Sequence, residues 1–292
     1  MEKDNLVKRF LFVAMLLGVS AGSGRALEPA NPKANAKAVS LDIADTGQEQ
    51  RRPAGGWCGE AAIQMALSYY GAYASQQAIN RAGKPEHPDL YAHEIPRAMR
   101  NMGLEYSAWK GDGLEAFLKW IRSQLAEGHP ALLGVKIYPT AHPEWALDHF
   151  VLAVGCTEEA LTFNTTWGRK ETKTFARLST QDKGLSFANR YGTYFGYAIT
   201  GMKLESIQTG TKPTLVTICR DGYKQVKLRI SMKELERGKR YRLLKFDDLT
   251  TAEQAGTKGD VVQSFLADGP NAVYRETIGI DDARVYRCMP SP

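Results

Sequence analysis

Pro53-Ala54-Gly55-Gly56-Trp57-Cys58-Gly59-Glu60-Ala61-Ala62 runs directly into Ile63-Gln64-Met65-Ala66-Leu67-Ser68-Tyr69-Tyr70. A glycine-rich loop therefore ends where a helical period begins. Apolar residues at 62, 63, 66, 67 and 70 repeat at helical spacing, and Gly71 is placed to end the helix. Cys58 stands at the junction. A thiol at a helix N-terminus feels the positive end of the helix dipole, which lowers its pKa and favours the nucleophilic thiolate. A free cysteine serves equally well as a small buried hydrophobe. This stretch alone leaves both readings open. Glu60 lies in the first turn, where its charge suits the dipole, and it opposes a thiolate if it points at Cys58.

Further helices follow. Ser75 can cap a short one through Ala82, ended by Gly83. Residues 90–102 fit another, stopped by Gly103, with Pro96 kinking or shortening it. Residues 114–126 form an amphipathic helix before Gly128. The period then changes from helix to strand. Ala131–Ile137, His149–Val154, Ala160–Phe163, Thr172–Phe175 and Gly196–Leu204 read as strands. Helices first and antiparallel strands afterwards predict an α+β domain over residues 48–204. Residues 205–292 change character again. Short apolar runs at 215–219, 225–230, 240–246, 261–266 and 285–288, separated by polar turns, predict a small β-sandwich or barrel as an accessory domain.

The beginning of the chain reads as a secretory signal over residues 1–26. Lys8 and Arg9 precede the apolar run Phe10–Ala21, and Gly24-Arg25-Ala26 offers a small-residue cleavage site, with Ala21 as the alternative. The apolar run is shorter than the roughly 20 residues needed to span a bilayer, although an uncleaved anchor is the competing reading. Residues 27–47 are polar and Pro-containing, which predicts a flexible leader. The expectation is an exported protein, periplasmic or secreted, with no integral membrane span after cleavage.

The chain has 292 residues, of which 43% are hydrophobic, so it can bury a core. The net charge of +6 is mild and spread along the chain, without a basic stripe carrying interleaved aromatics, which argues against nucleic acid as a partner. Four cysteines in an exported chain invite a disulfide reading. Cys219 and Cys288 share the C-terminal segment and form one plausible pair, while Cys156 ends an apolar strand and reads as packed.

A nucleophilic cysteine needs a base within reach and a third group to orient that base. Of five histidines, His87, His93, His129 and His142 fall in loop or helical contexts beside Pro or Glu. His149 instead opens an apolar strand, directly after Asp148. Adjacent strand residues face opposite sides, so Asp148 is poorly placed to pair with it. The next strand ends in Asn164, which can fix an imidazole tautomer, and Trp167 can shield that bond from water. Asn164-Thr165-Thr166 also matches a glycosylation sequon.

Taken together, these pieces resemble a papain-fold cysteine peptidase, closest to the bacterial group similar to bacteriocin-processing peptidases. The resemblance rests on Trp57-Cys58-Gly59-Glu60-Ala61-Ala62, Tyr69-Tyr70-Gly71, Gly128-His129-Pro130-Ala131-Leu132-Leu133, the run His149–Gly155, and Asn164-Thr165-Thr166-Trp167-Gly168. The last run is similar to the family's Asn-Ser-Trp-Gly with one residue added. The likeness spans residues 48–200 and leaves the C-terminal segment unexplained. It implies Cys58 as nucleophile, His149 as general base and Asn164 as the orienting residue. It also implies an oxyanion-hole glutamine upstream, for which Gln50 is preferred over Gln48, and the Cys58 backbone N–H as second donor. No metal or organic cofactor is implied. The expected substrate is a peptide or protein, cleaved through an acyl-enzyme. Acyl transfer of the transglutaminase type, peptidoglycan amide cleavage, and a non-catalytic binding module remain the alternatives.

Overall fold

Helix α1 (Cys58–Tyr69) organises the structure, because every residue from Cys58 to Ser68 is buried. A helix enclosed on all sides must be covered by several elements, and in this chain they come from distant parts of the sequence. The computed structural model describes residues 38–49, 56–180, 184–203, 211–221, 224–247 and 259–291. The expected signal segment and Gln50 lie outside these described residues.

Two short strands flank α1, β1 (Val39–Ser40) and β2 (Ala72–Tyr73). Next come α2 (Gln76–Gly83), α3 (Ile95–Asn101), β3 (Leu104–Ala108) and α4 (Leu114–Ala126). Strands β4 (Ala131–Val135), β5 (His149–Cys156), β6 (Ala160–Asn164) and β7 (Lys170–Thr174) precede the single-turn α5 (Phe175–Leu178) and β8 (Gly196–Met202). The sheet runs β3-β8-β4-β5-β6-β7, every pairing antiparallel, with β1 added against β5. The chain is a mixed α+β protein with mostly antiparallel sheet.

Two expectations change here. Helix α3 starts at Ile95, not 90, because Pro96 falls in its first turn, where the missing N–H costs no hydrogen bond. The polar leader expected through residue 47 is part of the fold from β1 onward. Val39 and Ser40 pair with Cys156 and Gly155, and Leu41 and Ile43 are buried in the core.

The C-terminal segment forms β9 (Thr214–Asp221), β10 (Gln225–Met232), β11 (Arg240–Phe246), β12 (Asp260–Leu266), β13 (Ala272–Gly279) and β14 (Arg284–Pro290). One sheet runs β13-β10-β9, the other β12-β11-β14-β2. They enclose a second core around Val226, Leu228, Ile230, Tyr241, Leu243 and Tyr286. Tyr73 of β2 is buried in that core, and its hydroxyl donates to the Ile280 carbonyl at 2.9 Å. The strands foreseen after residue 205 thus share a sheet with the region before α2. The disulfide entertained for Cys219 and Cys288 is absent. Both are free thiols, one exposed on the first of these sheets and one buried in the second.

Candidate active site

Cys58 occupies the first position of α1, and the peptide linking His149 to Phe150 lies against it. The Phe150 N–H donates to Cys58 Sγ at 3.4 Å. The register of β4 against β5 sets this contact, pairing Val135 with His149 and Gly134 with Phe150. Gly134 has no room for a side chain: an added Cβ would sit 2.5 Å from Leu147. Gly59, beside Cys58, is likewise closed off by Ile95 and Phe150.

Burial dominates the chemistry of this thiol. Cys58 is 8% exposed. Desolvation pushes its pKa up to about 12, the Phe150 and Gly59 N–H groups pull it down, and the carboxylates of Glu60 and Asp89 push it further up. The thiolate expected from the helix dipole is therefore not the resting form. Loss of hydration outweighs the partial charge at the helix end. The Cys58 N–H, expected as an oxyanion donor, is bonded at 2.7 Å to the Gly56 carbonyl across a tight turn centred on Trp57.

His149 is oriented by the loop after β6. Its Nε2 lies 2.9 Å from the Thr165 carbonyl and 3.2 Å from Thr166 Oγ1. A carbonyl can only accept, so Nε2 carries the proton and the lone pair of the neutral ring sits on Nδ1. Trp167 stacks on the imidazole with ring centres 4.6 Å apart. Burial holds the His149 pKa below the ordinary histidine value, opposed by the Thr165 carbonyl and by the charges of Asp148 and Asp45. Cys58 and His149 thus rest as a neutral thiol and a neutral imidazole, and make no hydrogen bond to each other. Asp148 is committed elsewhere. It forms a buried ion pair with Lys136 at 3.1 Å and accepts from the Ile137 and Tyr138 N–H groups.

Asn164 does not join this arrangement. Its Nδ2 donates to the Ile43 carbonyl at 3.1 Å and lies 3.4 Å from Met65 Sδ, on the α1 side of the sheet. Leu152 is its register partner, so it shares a face with Leu152 and not with His149. Asn164 is fully buried, which also closes its sequon to modification in the folded domain. Gln48, the less favoured oxyanion candidate, reaches the site by donating to Thr166 Oγ1 at 3.3 Å.

Asp45 is the residue that sequence reasoning missed. Its carboxylate accepts from the N–H groups of Gly47, Thr166 and Gly168 at 2.9, 3.0 and 3.3 Å. It thereby clamps the loop that carries the acceptor for His149. Thr166 needs such a clamp, because its φ of 67° is a left-handed conformation that β-branched residues avoid. The available signal was Asp45-Thr46-Gly47, a turn-forming spacing. A second missed feature is the polar ridge Glu60, Gln64 and Ser68 on α1. Its i, i+4, i+8 spacing resembles a solvent face, yet all three are buried. Glu60 accepts from Asn80 Nδ2 at 2.7 Å and from the Leu90 N–H at 3.0 Å. Burial raises its pKa to about 7, with Asn80 and Leu90 opposing the rise.

No protein-family model matches this chain, and a search of curated proteins finds no match either. Among the described residues no helix is long and apolar enough to cross a membrane.

Proposed function

We propose that the chain is an exported, papain-like thiol hydrolase that cleaves peptide or related amide bonds. The observation that carries this reading is the placement of Cys58 Sγ against the N–H that directly follows His149 in the chain. The thiol touches the peptide next to the histidine, whose imidazole has its donor nitrogen fixed and its basic nitrogen left to Nδ1. In the proposed reaction Nδ1 takes the thiol proton as Sγ bonds to the substrate carbonyl carbon. The tetrahedral adduct expels the amine, which receives that proton, and leaves a thioester. Water then releases the acid and regenerates the thiol. Because the resting pair is neutral, His149 acts as a general base during attack and not as half of a preformed ion pair. The Thr165 carbonyl and Thr166 hydroxyl take the orienting role first expected of Asn164. Among the described residues Gln48, bonded to Thr166, is the oxyanion candidate. The turn at Gly56–Trp57 has to open before the Cys58 N–H can donate.

The test is Cys58→Ala and His149→Ala beside wild type, with cleavage of a peptide library followed by mass spectrometry and the thioester trapped at Cys58. Each substitution is expected to slow cleavage by at least ~10³-fold. Wild-type cleavage by Cys58→Ala sinks the reading. One specific feature favours a second reading, a papain-like binding module without catalysis: the thiol is buried and protonated, and its own N–H is already occupied. Failure of wild type to react with an electrophilic peptide probe up to pH 9 selects that module.

A further inference from the structure

Asp45 to Glu49 form a strap between two parts of the molecule. One side of the strap faces the site, where Asp45 clamps Thr166 and Gly168 and Gln48 touches the Thr166 hydroxyl. The other side faces β9 of the C-terminal segment, from which Arg220 reaches in. Its Nη1 donates to the Thr46 carbonyl, and Nη2 lies 3.4 Å from the Gly47 carbonyl and 3.1 Å from Gln64 Oε1. Nη2 also stands 3.6 Å from Glu49 Oε1, whose side chain is only 3% exposed. Gln64 joins the same cluster from α1, and its Oε1 also receives Thr46 Oγ1 at 3.2 Å and Gln76 Nε2 at 3.1 Å.

We infer that Arg220 is a positioning residue for His149, acting through the strap. The path consists of direct contacts throughout. Arg220 holds the carbonyls of Thr46 and Gly47, the adjacent Asp45 and Gln48 hold Thr166, and Thr165 and Thr166 hold Nε2 of His149. Two properties of arginine fit this task. Its planar fork satisfies several acceptors at once, and its permanent charge offsets the buried Glu49 carboxylate. The C-terminal sheets are on this account part of the site's framework, and the inference deepens the hydrolase reading on which its catalytic meaning rests.

The test uses the full chain and the imidazole Nε2–H of His149, observed by NMR and assigned by its loss in His149→Gln. Solvent exchange of this proton reports the Thr165 bond whether or not the protein is an enzyme. Arg220→Ala is expected to speed exchange at least ten-fold. Arg275→Ala, on the exposed face of the same module, is expected to leave it unchanged. Arg220→Lys keeps the counter-charge for Glu49 but loses the fork, so it provides a folded variant if Arg220→Ala does not fold, and is expected to speed exchange more than three-fold. A rate within three-fold of wild type in a folded Arg220 variant overturns the inference, as does an equal effect from Arg275→Ala. Should Cys58→Ala cleave normally while the exchange result holds, the hydrolase reading fails and the coupling of Arg220 to His149 stands.

Discussion

His149 donates from Nε2 to the carbonyl of Thr165 over 2.9 Å, while Asn164, one residue earlier in the chain, turns its side chain to Ile43 on the far face of the sheet. A main-chain acceptor therefore sets the imidazole tautomer. Such an acceptor can be moved only by moving the loop, so Asp45 and the strained Thr166 gain an importance that their side-chain chemistry alone does not announce.

Exchanging these neighbours separates orientation from packing. Asn164→Ala removes a buried bond to Ile43 and is expected to cost about 1–2 kcal/mol in denaturant unfolding, with Cys58-dependent turnover changed less than about three-fold at saturating substrate. Thr166→Val removes the hydroxyl shared by His149 and Gln48 and is expected to slow turnover roughly ten- to hundred-fold. A large kinetic loss in Asn164→Ala without loss of stability reverses this assignment.

Glu60 gives a signature on the acid side of neutrality. Its folded pKa of about 7 lies above the ordinary value of 4.5, so the native state holds a proton that the unfolded chain has released. Its stabilising contribution is complete below pH 4.5 and is lost as pH rises through 7. Glu60→Gln mimics the protonated form. Urea midpoints at pH 4.5 and 7.5 are expected to show this part of the decline in wild type and not in the variant, a difference on the order of 2 kcal/mol. Equal slopes refute the assignment.

The thiols act at higher pH with the same sign. Burial raises both Cys58 and Cys288 to about 12 from an ordinary value of 9. Both bind protons more tightly when folded, so stability is expected to fall as pH climbs from 9 towards 12. Timed alkylation with iodoacetamide at pH 8, read by peptide mapping, is expected to mark exposed Cys219 first and to reach Cys288 only on unfolding. Cys288 modified as fast as Cys219 in the folded protein contradicts its burial.

Gly155 tests whether the segment before α1 belongs to the fold. A Cβ at this position would stand 2.8 Å from the Val39 carbonyl, backbone against side chain. Gly155→Ala is expected to push β1 from β5 and cost about 1–3 kcal/mol. In a chain lacking residues 1–43 the same substitution is expected to have no effect on the midpoint of thermal unfolding, because the clashing carbonyl is gone. An unaltered midpoint in the full-length variant contradicts the pairing.

The elements that could be read from the sequence were those whose period is set locally. Helices α1 and α4 and strands β4 to β6 lie within a few residues of where periodicity puts them. Strands β1 and β2 have two residues each, too few to show a period. Strand β13 is interrupted by three consecutive polar residues, Arg275-Glu276-Thr277, and lacks the apolar run that marked its neighbours. Cys58 and His149 stood out as candidates because both stand at element ends. The state of the thiol did not, since it is set by burial in a core assembled from distant parts of the chain. Arg220 and Asp45 were hidden for a different reason. Each acts on main-chain groups, which leave no trace in a motif.

Strand β2 ties an early stretch of the sequence to a much later one, in time as well as in space. Ala72 and Tyr73 pair with Val285 and Arg284, residues made more than two hundred positions later. On the ribosome, the helix bearing Cys58 emerges long before the strand that completes the sheet beside it. Such long-range closure is slow, and a nascent chain halted before β14 displays an open strand edge and the ring of Tyr73 without its pocket. Enclosure of the helix bearing Cys58 therefore waits for β14, more than two hundred residues later in the sequence.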